Sequence, residues 1–179
     1  QGREGYGWTL YALAAGFGIL SKGPVQLLDL APVPLLAPLW IVDRPASWGR
    51  WYRSLALAIL AGGAIGLAWA IPAAISGGRD FAYMLFIGQT TERVVEAMWH
   101  EEPFWWYVPI AFVLVFPWLW WPAFWRSLAQ RQLWRDPGVR FCLSQLVALF
   151  VAFSAISGKQ PQYLLPMIPT FSLVLARAL

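Results

Sequence analysis

Apolar runs about as long as a lipid bilayer is thick, with the charges gathered mostly between them, constrain this chain more than any other feature. Six follow one another, at roughly 6–20, 24–41, 54–75, 103–125, 141–156 and 163–179. A spanning helix needs about 20 mostly apolar residues, so each run is a candidate crossing, the first and last being cropped. The balance of residue types agrees: 59% are apolar and 12% charged, where a water-soluble domain carries about 25% charged residues. No single soluble core could hide such an excess, so the chain is expected to be all-α, a polytopic transmembrane bundle of about six spans forming one domain, 1–179. Disorder is excluded by the same apolar content, and a disulfide scaffold by the presence of a single cysteine, Cys142. Thirteen tryptophans suit the two membrane interfaces, where an amphipathic ring is well placed. Gln1 in place of an initiator Met, and an apolar stretch running on to Leu179, read as the edges of an excerpt from a longer polytopic chain.

Arginine placement orients the runs. Arg44, Arg50 and Arg53 lie in the connection at 42–53, and Arg126, Arg131, Arg135 and Arg140 in the connection at 126–140. Two runs separate these connections, so both lie on one side, which the positive-inside rule makes cytoplasmic. The remaining connections then face outward: Ser21 to Pro24, the long segment 76–102, and Ser157 to Gln162. The net charge of +4 is therefore an orientation signal and not the footprint of a nucleic-acid partner. Proline and glycine recur within the runs, as membrane helices tolerate. Ala61-Gly62-Gly63-Ala64 with Gly66 offers a surface that a neighbouring helix can approach closely.

The outward segments collect the chemistry. Asp80, Glu92, Glu96, Glu101, Glu102 and the single histidine, His100, all lie in 76–102. Read as a helix from about Phe81 to Trp99, that segment is amphipathic. Gln89, Arg93, Glu96 and His100 fall on one side and Met84, Ile87, Val94, Val95 and Met98 on the rest. Such a helix can lie in the interface plane on the periplasmic side. It is an ordinary solvated face, or Arg93 and His100 border a cleft for an anionic headgroup. Lys22, before Gly23-Pro24 at the end of the first run, is a snorkelling side chain or a point charge for phosphate, and Lys159 invites the same two readings. Asp29 pairs with a cation or reaches the interface. Three outward segments thus each supply a cation, Lys22, Arg93 and Lys159, which together suit a lipid-linked phosphate. Phosphate loops of the Walker type, dinucleotide fingerprints and zinc-site spacings are absent from the sequence, and no serine is marked as a nucleophile.

Three stretches resemble a known superfamily. Gly18-Ile19-Leu20-Ser21-Lys22-Gly23-Pro24, then His100 through Pro109 with Pro117-Trp118, and Ser157-Gly158-Lys159-Gln160-Pro161-Gln162-Tyr163-Leu164-Leu165-Pro166 are similar, in order and spacing, to elements of membrane glycosyltransferases that use polyprenyl-phosphate sugars. That superfamily includes the protein O-mannosyltransferases and the lipid A aminoarabinose transferases. The resemblance implies an enzyme of the bacterial inner membrane, multi-pass, with a periplasmic active face. It implies transfer of a sugar from a polyprenyl-phosphate donor to lipid A, protein or glycan, with inversion at the anomeric carbon. Lys22, Arg93, Lys159 and Tyr163 would bind the donor phosphate. His100 would lie near the sugar or a divalent metal, which is left open as a cofactor. The acidic residues that activate the acceptor lie upstream in this superfamily, so the excerpt by itself is expected to be inactive. A transporter or flippase of an amphiphilic substrate is the alternative. It is disfavoured because no inverted repeat is visible and the polar groups gather at one interface.

Overall fold

The computed structural model describes residues 2–88, 102–156 and 159–178; among them every regular element is helical. The chain divides into two compact units, Gln1–Pro34 with Pro45–Val95, and Leu35–Arg44 with Glu96–Leu179.

The first unit is built on two long helices, α1 (Gly2–Lys22) and α5 (Trp48–Tyr83). Helix α1 stops where Gly23 turns to φ +78° and its N–H donates to Ile19 O at 2.8 Å, a left-handed end that glycine reaches without a Cβ penalty. Helix α5 starts at Ser47, whose hydroxyl accepts from the Arg50 N–H at 3.4 Å. Its regular course breaks at Gly78 (φ +82°), just beyond the run expected at 54–75. The two helices pack in parallel. Trp8 meets Trp51 near both N-termini, with ring centroids 4.9 Å apart, while Gly66 lies against Ile19 further along. Small residues make the approach close: a Cβ on Gly62 would come 2.7 Å from Ala15 Cβ and 3.0 Å from backbone atoms of Ala12 and Gly16. Parallel α1 and α5 require the chain between them to return the length of α1. It does so through short helices α2 (Gln26–Leu30), α3 (Pro32–Leu35) and α4 (Ala37–Trp40). The run expected as one crossing at 24–41 is therefore interrupted, because Pro32, Pro34 and Pro38 each lack an N–H and disfavour helix at the preceding residue.

The second unit contains α4 and, after a 3₁₀ turn at Phe104–Trp106, helices α6 (Tyr107–Leu114), α7 (Pro122–Leu128), α8 (Pro137–Ala155) and α9 (Met167–Ala178). Asp136 caps α8, accepting from the N–H groups of Gly138 at 2.8 Å and Val139 at 3.1 Å, and Pro137 takes the first helical position. Helices α8 and α9 are antiparallel: Asp136 pairs with Arg177 at one end, 2.8 Å apart, and Phe153 stacks on Tyr163 toward the other. Leu133, Val139, Cys142 and Val174 form a buried cluster near the Asp136 end, where Trp40 also meets Phe141 edge-on. The run at 103–125 is again broken, around Pro117 and Pro122, and the run at 163–179 begins as a 3₁₀ turn at Pro161–Leu164 before α9.

Two helical stretches, Trp48–Gly88 and Pro137–Ala155, are long and apolar enough to cross a membrane. Only 22% and 28% of their most apolar windows are buried within the protein, so neither is the wrapped core helix of a soluble domain. Their outer surfaces present Leu57, Leu60, Ile75, Val147 and Val151, side chains suited to a hydrocarbon environment. The expected interfacial helix at 81–99 is described only as far as Gly88, where α5 passes into a π-helical turn at Met84–Gly88; its remainder lies outside the described residues.

Candidate functional site

Each residue of the Gly18-to-Pro24 stretch has a local task. Gly18 lets α2 come close, since a Cβ there would meet Gln26 Cγ at 2.5 Å. The Ser21 hydroxyl donates back to Gly18 O at 3.2 Å. Gly23 then turns the chain, and the N–H groups of Gln26, Leu27 and Leu28 donate to the carbonyls of Gly23, Pro24 and Val25. The tight turn brings Asp29 back to the end of α1, where its Oδ2 lies 3.2 Å from Lys22 Nζ. The Asp29 side chain is 6% exposed and that of Lys22 34%. A buried carboxylate thus pairs with the ammonium of a part-exposed lysine, at a helix C-terminus that also favours positive charge. Of the two sequence readings for Asp29, pairing with a cation is the one observed.

In the second unit, the stretch that begins at His100 meets the one that ends at Pro166. Lys159, only 5% exposed, donates to Glu102 O at 3.0 Å and to Ile156 O at 2.8 Å. Tyr107 is fully buried; its hydroxyl donates to Gln160 O and accepts from Gln160 N–H, both at 3.1 Å. Gln160 is extended (φ −135°, ψ 136°), as a residue before proline prefers, and Pro161 opens the 3₁₀ turn that carries Tyr163. The Tyr163 ring lies parallel to Phe153, with centroids 5.3 Å apart. Beside this end, Phe104, Trp105, Val108, Phe150, Val151 and Ala155 line most of an open, almost wholly apolar groove of about 370 Å³.

Of the residues singled out in the sequence, Lys159 and Tyr163 share one end of the second unit, and Lys22 stands at the end of α1 in the first. Arg93 and His100 lie outside the described residues. Among the described residues no group of three or more His, Cys, Asp or Glu could hold a metal ion. Sequence reading missed Tyr107. Its signal was present: one hydroxyl in a run of aromatic residues, Phe104 to Tyr107, must find a partner once buried.

Two long apolar helices that stay largely uncovered within the protein give the chain the character of a segment of a membrane protein. Comparison with curated proteins finds relatives named for transfer of a sugar from undecaprenyl phosphate. The chain is 32% identical over 97% of its length to the undecaprenyl phosphate-alpha-4-amino-4-deoxy-L-arabinose arabinosyl transferase of Pseudomonas paraeruginosa. It is 33% identical over 97% to that of Pseudomonas aeruginosa and 31% identical over 96% to that of an Enterobacter species. It spans about a third of the length of these relatives, 31%, 31% and 30% respectively. The chain is homologous to that segment of the aminoarabinose transferases, as the three motifs implied. No protein-family model and no solved structure matches it.

Proposed function

We propose that the chain is part of the membrane domain of a glycosyltransferase that moves a pentose of the aminoarabinose kind from undecaprenyl phosphate to an acceptor on the periplasmic side of a bacterial inner membrane. The observation that carries this reading is the match along 97% of the chain to transferases named for that donor. Six crossings, some of them interrupted helices, put the arginine-bearing connections at 42–53 and 126–140 inside. Lys22, the 76–102 segment and Tyr163 then lie at the outer interface. Irregular backbone at membrane depth is tolerated where protein surrounds it.

Cleavage of the sugar–phosphate bond leaves its electron pair on a phosphate oxygen, so negative charge grows on the lipid as the reaction proceeds. Cations already in place are the electrostatic device such a step requires, because they need no reorganisation when the charge appears. Lys22 and Arg93 take that role, Tyr163 donates a hydrogen bond to the phosphate or sugar, and His100 stands near the sugar. The isoprenoid chain lies against the apolar groove beside Phe104 and Val151. The acceptor attacks the opposite face of the anomeric carbon, which inverts, and gives up its proton to an acidic group supplied by the longer protein.

In the full-length protein, Lys22→Ala and Arg93→Ala should each lower transfer from the undecaprenyl-phosphate sugar by about 10²-fold, the usual effect of removing one preorganised electrostatic group. Wild-type rates in both variants would overturn the assignment.

A further inference from the structure

Lys159 reads from the sequence as a phosphate ligand, yet two of its three donors are committed to backbone carbonyls at 3.0 and 2.8 Å and its side chain is withdrawn from the surface. Tyr107 holds both polar groups of the Gln160 main chain with one hydroxyl. These ties span 57 and 53 residues of sequence. They fasten the same connection, the one leaving α8 at Ile156 and reaching Tyr163, to the same short stretch, Glu102 to Tyr107. The carbonyl of Gln160 that Tyr107 grips also accepts the Tyr163 N–H at 3.1 Å. The residue held by Tyr107 is therefore the one that begins the turn carrying Tyr163, and the Tyr163 ring itself stacks on Phe153.

We propose that Lys159 and Tyr107 are positioning residues: they set the Tyr163 turn against the start of α6 and act on the donor only through Tyr163. This rests on the proposed contact between Tyr163 and the donor. A ligand lysine needs its ammonium on the approach path of the phosphate, whereas here the ammonium bridges two chain segments that are otherwise joined through the long 102–156 excursion. Charge-assisted bonds to carbonyls are about twice as strong as neutral ones, which suits a tie of that reach.

The test uses the full-length protein in detergent. Tyr107→Phe keeps the ring and removes both hydrogen bonds, and Lys159→Met keeps the length of the side chain and removes the ammonium. Each should raise amide hydrogen exchange at 159–164 about tenfold while the centre of α8 is unchanged, which also reports that the variants fold. Tyr107→Phe should lower kcat/KM for the lipid-linked sugar about tenfold, the scale of one lost hydrogen bond of about 1.4 kcal/mol. Combining it with Tyr163→Phe should lower kcat/KM no further than Tyr163→Phe does alone. Unchanged exchange in both variants overturns the proposal, as do additive losses in the double variant. A Lys159→Met variant with a raised donor KM and unaltered exchange would make Lys159 a ligand and overturn its part. Raised exchange with wild-type transfer by Tyr163→Phe would show a fastening without a donor role for Tyr163. That outcome contradicts the site reading and leaves the mechanical tie standing, so the two failures are distinguishable.

Discussion

Asp136 shows how much one side chain can join. Its carboxylate caps α8 and receives Arg177 of α9, so two antiparallel helices are closed at one end by a single residue. The hydrogen bond from Arg177, followed by those of the Val139 and Gly138 N–H groups, holds its pKa below the ordinary value of 3.8. Because the folded-state value is the lower one, the stabilisation is complete at neutral pH and is lost as pH falls through the folded-state pKa. Asp136→Asn should therefore melt below wild type at pH 7, and the gap should close toward pH 3. Thermal unfolding of the full-length protein at the two pH values reads this, and a gap that persists in acid would contradict it. At this scale the sequence was legible in part. Opposite charges flanking the Gly23-Pro24 turn announced that Asp29 could reach a cation. The importance of Lys159 was also visible, but not that its ammonium turns inward, because orientation is decided by Glu102, 57 residues away.

At the scale of elements, the glycine-rich face of α5 was readable in advance and its exact use was not. Gly62 and Gly66 sit against α1, whereas a Cβ on Gly63 would meet nothing within 4 Å. Adjacent substitutions should consequently have opposite signs. Gly62→Val should destabilise by about 1–3 kcal/mol through overpacking, while Gly63→Ala should stabilise by up to about 1 kcal/mol through helix propensity. Unfolding midpoints of the two variants in the full-length protein check this, and equal shifts would show that α1 does not lie on the Gly62 face. Helices α1, α5 and α8 stand where apolar runs predicted them. The breaks in 24–41 and 103–125 were harder to foresee. Apolar content sets where a chain can cross, and every interior proline removes one ladder hydrogen bond, yet Pro72 is carried within α5 while the runs holding Pro32, Pro34, Pro38, Pro117 and Pro122 are broken.

At the scale of the whole molecule, the charge pattern carried most of the reading. The proposed topology takes the arginines in 42–53 and 126–140 as the mark of one side. Within the first unit the N-terminal ends of parallel α1 and α5 lie together, and within the second Asp136 and Arg177 lie opposite the end that holds Lys159 and Tyr163. Each unit is separately consistent with alternating crossings. What arginine counting could not supply was the proposed donor, which rests on three short motifs and on the names of relatives matched along nearly the entire chain. The most direct test of the resulting claim is photolabelling of the full-length protein in membranes with a photoreactive undecaprenyl phosphate carrying its reactive group beside the phosphate. The account predicts labelled peptides that contain Lys22, Arg93 and Tyr163. Labelling confined to the arginine-bearing connections around Arg50 and Arg131 would place the phosphate on the other side of the membrane and contradict it.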